Sequence, residues 1–341
     1  MSKLNLCRTF DSKLAPTFDA ATNLAYMVHQ LENIDPIMHK PITGVTWGRD
    51  IKLRTGIVMS DEFTSFHRIN YGSSSTLKQG GIPWVTQDTN AIPAVSISGE
   101  KITTPMRLAA QIITYTKMEL EKAQKLGIQL ETEKLNALHM AYQLGIDKMV
   151  YVGDTDLDTT EHKCRGLVNR TDVASLSASN FDEMDMDTLL ETINNAIEKV
   201  WESTAYKIVP NHIILPPAIL AKLATTKYGT NADRTAFRYL VENNLSKAAG
   251  GVDPQFVSSR WATKLANGSA DRIIAYVNDL DYIRYSMVPI RREESYHDQA
   301  FRYNTPYLWA LGEVEIVYPE TIVYVDGAEP TKETPAVSDG D

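Results

Sequence analysis

Between Tyr115 and Asn169 the chain reads YTKMELEKAQKLGIQLETEKLNALHMAYQLGIDKMVYVGDTDLDTTEHKCRGLVN, and this stretch constrains the fold more than any other. Thr116 and Glu119 stand at capping-box spacing, where a hydroxyl and a carboxylate each satisfy an amide left unpaired at a helix start. A first helix is expected from there to about Leu126, stopping near Gly127. A second should span Leu130 to Val150, roughly 30 Å at about 1.5 Å per residue. Within it Leu135, Leu138, Tyr142, Gly145, Met149 and Val152 recur at gaps of three and four, one apolar stripe on one face. A tight turn at Gly153-Asp154 follows, then an acidic loop that lands on Gly166-Leu167-Val168-Asn169. On periodicity alone the commoner reading is a core helix of an α/β enzyme, so the neighbouring sequence has to decide.

The 341 residues exceed one typical domain of about 100–150 residues, so two packed subdomains are expected. A hydrophobic content of 43% is ample for a core. The formal charge of −9 argues against a protein that binds nucleic acid by neutralising phosphates. Cys7 and Cys164 are far apart and suggest a reducing compartment without a disulfide framework. No apolar run approaches the roughly 18 residues of a membrane span, and the N-terminus lacks the apolar core of a signal peptide. Synthesis and folding in a cytoplasm are expected.

Residues 1–50 are broken by Pro16, Pro36 and Pro41 around a helical patch, Ala20 to Leu31, and read as an arm that borrows its order from something else. From Ile51 to Asn90 the chain is polar and β-prone, with turn chemistry at Gly72-Ser73-Ser74-Ser75 and Gly80-Gly81. A long hairpin or loop without a core of its own is expected there, and such excursions are usually functional. Two strand-like runs follow, Ala94 to Ser98 and Thr104 to Thr114, the second alternating Met106, Leu108, Ala110 and Ile112 on one face. Further on, a helix is expected over 186–203 and a short buried strand at His212 to Leu215. Pro216-Pro217 opens a helix, Ala218 to Ala224. Phe237, Leu240, Val241 and Leu245 suggest one more, ended by Gly250-Gly251. Arg272 to Val277 is strand-like, and Val314 to Val325 makes two strands parted at Pro319-Glu320. The tail beyond Gly327 is acidic and Pro-rich, expected to be disordered unless a neighbour holds it.

Candidate chemistry is weak throughout. Asp154, Asp156 and Asp158 invite a hard cation, but the loop lacks the glycine at its sixth position and carries Arg165 where a calcium loop closes with glutamate. A solvated turn is the better reading. His162 and Cys164 have no second pair at zinc spacing. Ser73-Ser74-Ser75 lacks the glycines of a nucleophile elbow, and no phosphate-cradling or dinucleotide loop occurs. His297 and Asp298 have no partner nucleophile in view. No catalytic, cofactor or metal residue is assigned, and no enzyme is expected.

Several segments in order carry a family resemblance: Leu31-Glu32-Asn33-Ile34-Asp35-Pro36, then Thr104-Pro105-Met106-Arg107 before the capping box. The long helix, Val152-Gly153-Asp154 and Gly166-Leu167-Val168-Asn169 continue the series. Ile213-Ile214-Leu215-Pro216-Pro217, Val288-Pro289, Asn304-Thr305-Pro306-Tyr307, Leu311 to Ile316 and Tyr318-Pro319 complete it. Across residues 25–327 this resembles the major capsid proteins of tailed phages, with the Hong Kong ninety-seven-type fold shared with encapsulin shells.

The resemblance implies an α+β fold with residues 1–50 as N-terminal arm and 51–90 as extended E-loop. Residues 91–152 and 286–328 would form a peripheral domain with the long spine helix, 153–285 an axial domain, and 329–341 an acidic tail. It implies self-assembly, through hexamers and pentamers, into an icosahedral head that encloses double-stranded DNA without sequence-specific binding. A separate scaffolding protein, a portal and decoration proteins would be partners. No membrane is involved, and the location is the virion, assembled in the host cytoplasm. Lys78 and Trp84 of the loop are the candidate intersubunit contacts. Some members join a loop lysine to a neighbour's asparagine; Lys78 and Asn304 are the nearest candidates, but nothing marks a dedicated acceptor or acid, so a non-covalent shell is expected. Two rivals remain: an encapsulin-like compartment and a metal-dependent hydrolase built on residues 154–158.

Overall fold

The computed structural model describes residues 44–73, 95–126, 130–154, 164–229, 234–264, 270–299 and 301–328. The chain enters through a one-turn helix, α1 (Trp47–Asp50), and a short strand, β1 (Leu53–Arg54). A long antiparallel hairpin follows, β2 (Phe63–Ser73) with β3 (Val95–Pro105), in unbroken register from Phe63↔Pro105 to Ser73↔Val95. The run from Val95 to Ser98, which reads as a strand by itself, is therefore the start of the hairpin's return. After Met106 come β4 (Arg107–Thr116), α2 (Lys117–Leu126) and α3 (Leu130–Tyr151).

The capping box forms. Thr116 donates its amide to Glu119 Oε2 at 3.2 Å, and Glu119 donates its own to Thr116 Oγ1 at 3.3 Å. The buried row of α3 differs in detail from the expected stripe. It is Leu138, Tyr142, Ile146 and Val150, flanked by Asp147 and Tyr151, while Gly145 is exposed and Leu135, Met149 and Val152 are half-buried. Spacing shows that an apolar face exists; which i+4 row goes deepest is set by the sheets it packs on. Gly153 then turns the chain at φ 78°, and a side chain there would meet the Cys164 carbonyl at 2.3 Å.

Next come β5 (Ala174–Ser177), α4 (Met186–Ser203), β6 (His212–Leu215), α5 (Pro217–Thr225) and the small pair β7 (Lys227–Tyr228) and β8 (Arg234–Thr235). The apolar run from Phe237 to Leu245 makes two helices, not one: α6 (Ala236–Glu242) and α7 (Leu245–Gly250). Asn244 divides them, because its side chain accepts the Lys247 amide at 2.8 Å as an N-cap. The chain finishes with β9 (Gln255–Ser258), β10 (Arg272–Tyr276), β11 (Ile283–Arg292), β12 (Tyr296–Gln299), β13 (Arg302–Ile316) and β14 (Ile322–Asp326).

Two five-stranded sheets organise these elements. One has the order β5-β14-β10-β6-β9 and is covered on both faces. Ile213, Leu215, Ile273, Ala275, Val323 and Val325 point into a core with α4, α5 and α6. Their alternate neighbours Ile214, Ile274, Tyr276, Ile322 and Tyr324 point into a second core with α3, β11 and β13. Burial on both faces explains why these strands read as continuous apolar runs. In the other sheet β13 is central, with β11 and β12 on one side and β4 on the other. On its one face lies α3, where Tyr142 meets the Trp309 ring edge-on at 5.4 Å.

Candidate assembly interface

Of the residues singled out from sequence, Lys78 and Trp84 lie outside the described residues, as do Cys7, Asp156, Asp158 and His162. Cys164 is buried, and that burial pushes its thiol pKa up, which makes it a packing residue rather than a reactive one. Asn304 is also buried, and its Oδ1 accepts from Thr114 Oγ1 at 2.9 Å, so its carboxamide faces its own sheet. The His297 ring packs on Tyr303 at 4.4 Å. Among the described residues there is no group of three or more His, Cys, Asp or Glu able to hold a metal ion. No described helix is long and apolar enough to cross a membrane.

The polar groups that organise the described residues sit instead in two buried clusters, or roots: one where the described chain begins and one at the base of the hairpin. At the first root, Asp147 is a fully buried carboxylate on the apolar face of α3. Its Oδ1 accepts the amides of Thr46 at 2.9 Å and Trp47 at 3.1 Å; its Oδ2 accepts Trp261 Nε1 at 2.6 Å and Arg260 Nη2 at 3.1 Å. Trp47 Nε1 also donates to Gln143 Oε1 at 2.9 Å. One turn later Asp50, equally buried, takes Arg49 Nε at 2.5 Å and the Tyr151 hydroxyl, with His212 Nε2 at 3.1 Å. Burial by itself would raise the Asp50 pKa, but the bonds from Arg49, His212 and Tyr151 together hold it below its ordinary value.

An Asp, a His and a Tyr within hydrogen-bond reach also describe a general acid–base set. Here Asp50, His212, Tyr151 and Tyr276 are at most 1% exposed, so no substrate reaches them. The cluster ties α1 to α3, β6 and β10. Sequence reading missed both clusters, although Asp147, an aspartate among the apolar residues of LGIDKMVY, was a signal for the one it anchors.

At the second root, Glu315 of β13 is 1% exposed. It accepts Arg284 Nε at 2.7 Å, Ser286 Oγ at 2.9 Å and Arg54 Nη1 at 3.0 Å. Arg54 reaches on to the Ser65 carbonyl at 3.2 Å, and Thr64 bonds Thr104 across the hairpin at 2.7 Å. Burial alone would raise the Glu315 pKa; the bonds from Thr64, Arg284 and Ser286 and the charge of Arg54 outweigh it and lower the value. Beyond this clamp no third strand among the described residues pairs with the hairpin. Ile69 and Ile97 are 52% and 69% exposed, and a two-stranded ribbon with an uncovered apolar side is marginal in water.

Among the described residues, Ile69 and Ile97 of the hairpin and Leu108 and Ile112 of β4 stay exposed, and the comparisons place such a subunit in a known family. A sequence profile of the family described as "Major capsid protein" matches residues 81–328, more than two thirds of the chain. The chain belongs to the major capsid protein family. No curated protein sequence matches it. Among solved structures, the capsid of Myoviridae phage XM1 superposes with a TM-score of 0.73 at 17% identity, covering 88% of this chain and 98% of that one. The capsid of a native GTA particle gives 0.59 at 12% identity, with coverages of 92% and 100%. A Mycobacterium phage Ogopogo chain gives 0.57 at 12% identity, with coverages of 89% and 98%. At these identities the likeness speaks to the fold: the α+β arrangement is that of phage capsid subunits.

Proposed function

We propose that this chain tiles a closed icosahedral head, through hexamers and pentamers, and that the head encloses the double-stranded DNA of a tailed bacteriophage. The observation that carries this reading is the capsid-family match over residues 81–328 in a subunit whose hairpin exposes its apolar side. A shell of one subunit needs contacts that do not close into a small ring, and extended segments that bridge neighbours. Residues 1–50 are the arm and the loop spanning 51–90 is the E-loop. Residues 91–152 and 286–328 form the peripheral domain, 153–285 the axial domain, and 329–341 the acidic tail. Lys78 and Trp84 touch the neighbouring subunit, Trp84 as the aromatic anchor. A scaffolding protein, a portal and decoration proteins complete the particle, which is assembled in the host cytoplasm. The charge of −9 suits a wall that does not cling to the DNA it surrounds.

Electron microscopy of the purified protein, alone and co-expressed with a scaffold, tests this reading. Closed or tubular shells are expected; a small discrete species that never assembles overturns it. Particles filled with cargo protein instead of DNA would point to a compartment. The shell is non-covalent, so boiling in reducing detergent releases monomers near 38.1 kDa, whereas a ladder of multimers would contradict this.

A further inference from the structure

A cavity of about 720 Å³ opens at the carboxyl end of α4, with Lys207, Asp281, Tyr282, Tyr318 and Glu320 among its lining residues. Its walls come from three segments that are bonded to one another. Ser203, the last residue of α4, donates its hydroxyl to the Glu320 carbonyl at 2.7 Å, and the Val317 amide donates to the Tyr282 carbonyl at 2.8 Å. Thr204 Oγ1 fixes the turn that follows α4 by accepting the Ile208 amide at 3.3 Å. Concavity, this size and walls that are already in place are what a small-ligand site requires.

The groups around the opening set the sign of the ligand. Two carboxylates, Asp281 and Glu320, stand against one ammonium, Lys207, and all three residues are exposed. None of the three forms a salt bridge among the described residues. Arg68 of the hairpin feels the charge of Glu320, but its hydrogen bond goes to Glu100 at 2.8 Å. α4 ends at the cavity with no basic residue in its last turn, so the negative end of its dipole is not offset there. The rings of Tyr282 and Tyr318 lie 6.0 Å apart and tilted by 55°, and Tyr318 is 44% exposed. Aromatic ring faces attract cations, guanidinium most readily. Every one of these groups except Lys207 favours positive charge.

We infer that this cavity is an organic-cation site, which takes a guanidinium or primary ammonium group on a short aliphatic stem. The tyrosine rings receive the stem and the flat of the head group, and Asp281 and Glu320 accept its N–H donors. A hard metal ion does not fit as well, because it wants about six or more oxygens, and no described group of three or more His, Cys, Asp or Glu is placed to hold one. Lys207 acts as a built-in competitor for the same carboxylates.

Calorimetric titration of the full-length free subunit with acetyl-argininamide tests this, with acetyl-citrullinamide as the neutral isostere. Saturable one-to-one binding is expected, at least about tenfold tighter for the arginine form. Glu320→Gln and Tyr318→Ala should each weaken it about fivefold, and Tyr318→Phe should leave it unchanged. Lys207→Gln should tighten it about threefold, the opposite of what a merely structural lysine would give. These side chains are exposed, so the variants should keep the parent's Tm. The tripeptide acetyl-Gly-Arg-Gly-amide separates two sources of the same chemistry: clearly tighter binding than acetyl-argininamide assigns the cation to a polypeptide side chain, equal binding to a free small molecule. Equal affinity for the arginine and citrulline forms, no saturation by about 10 mM, or binding that Glu320→Gln and Tyr318→Ala do not move would overturn the site. None of these outcomes bears on whether the chain builds a shell.

Discussion

The two sheets use similar residues to opposite ends. In the first, all five residues of β10 and all four of β6 are buried, because helices close one face and the second core closes the other. In the second, β4 reads RLAAQIITYT, with six apolar residues in ten, yet only Ile113 of them is buried. The difference lies in what covers each face, since α3 lies on one side of β4 and none of the described elements lies along its outer edge. An apolar alternation therefore marks a face that wants covering and leaves open whether the same chain or another supplies the cover.

The sharpest way to break this comparison is a matched pair of truncations. Ile274→Ala, in the second core, should cost the free subunit about 3–4 kcal/mol in urea unfolding. Ile112→Ala in the open sheet should stay within about 0.5 kcal/mol of the parent. Equal losses would mean that β4 belongs to the subunit's own core. Next in size is Asp147→Asn, which places an amide NH2 where a carboxylate oxygen now meets donors. A loss of about 2–4 kcal/mol is expected, with new protease cleavage between residues 44 and 50. An unchanged digest would show that the clamp holds nothing.

The Glu315 clamp gives a pH test with a definite sign. Its folded-state pKa is lowered, so its contribution is complete above the ordinary value of 4.5 and is lost as pH falls through the folded value. Glu315→Gln should be less stable by about 2 kcal/mol near neutrality, and the two stability curves should converge as pH falls through the lowered folded-state value. A constant gap would assign the effect to shape rather than charge. The smallest effect is expected at the end of α4, where Ala205 and Tyr206 hold φ of 53° and 62° without being glycine. Ala205→Gly should stabilise the subunit by about 0.5–1 kcal/mol, visible as a small rise in Tm.

Local signals were strong enough to be read directly. Thr116 and Glu119 cap a helix through contacts three residues apart, and Pro217 opens another at its first position. The runs at His212 to Leu215 and Arg272 to Tyr276 announce strands buried on both sides, because no polar residue interrupts their middles. The order of weak motifs from residue 25 to 327 was enough to name the family. Three things were decided only in three dimensions. Asn244 splits a run that periodicity joins, since a side-chain cap competes with helix continuation. Asp147, Asp50 and Glu315 became clamps because partners as many as 261 residues away in sequence converge on them. The outward face and edge of β4 depend on which side of β13 each neighbour occupies, and that is a property of sheet order, which alternation along a single strand does not encode.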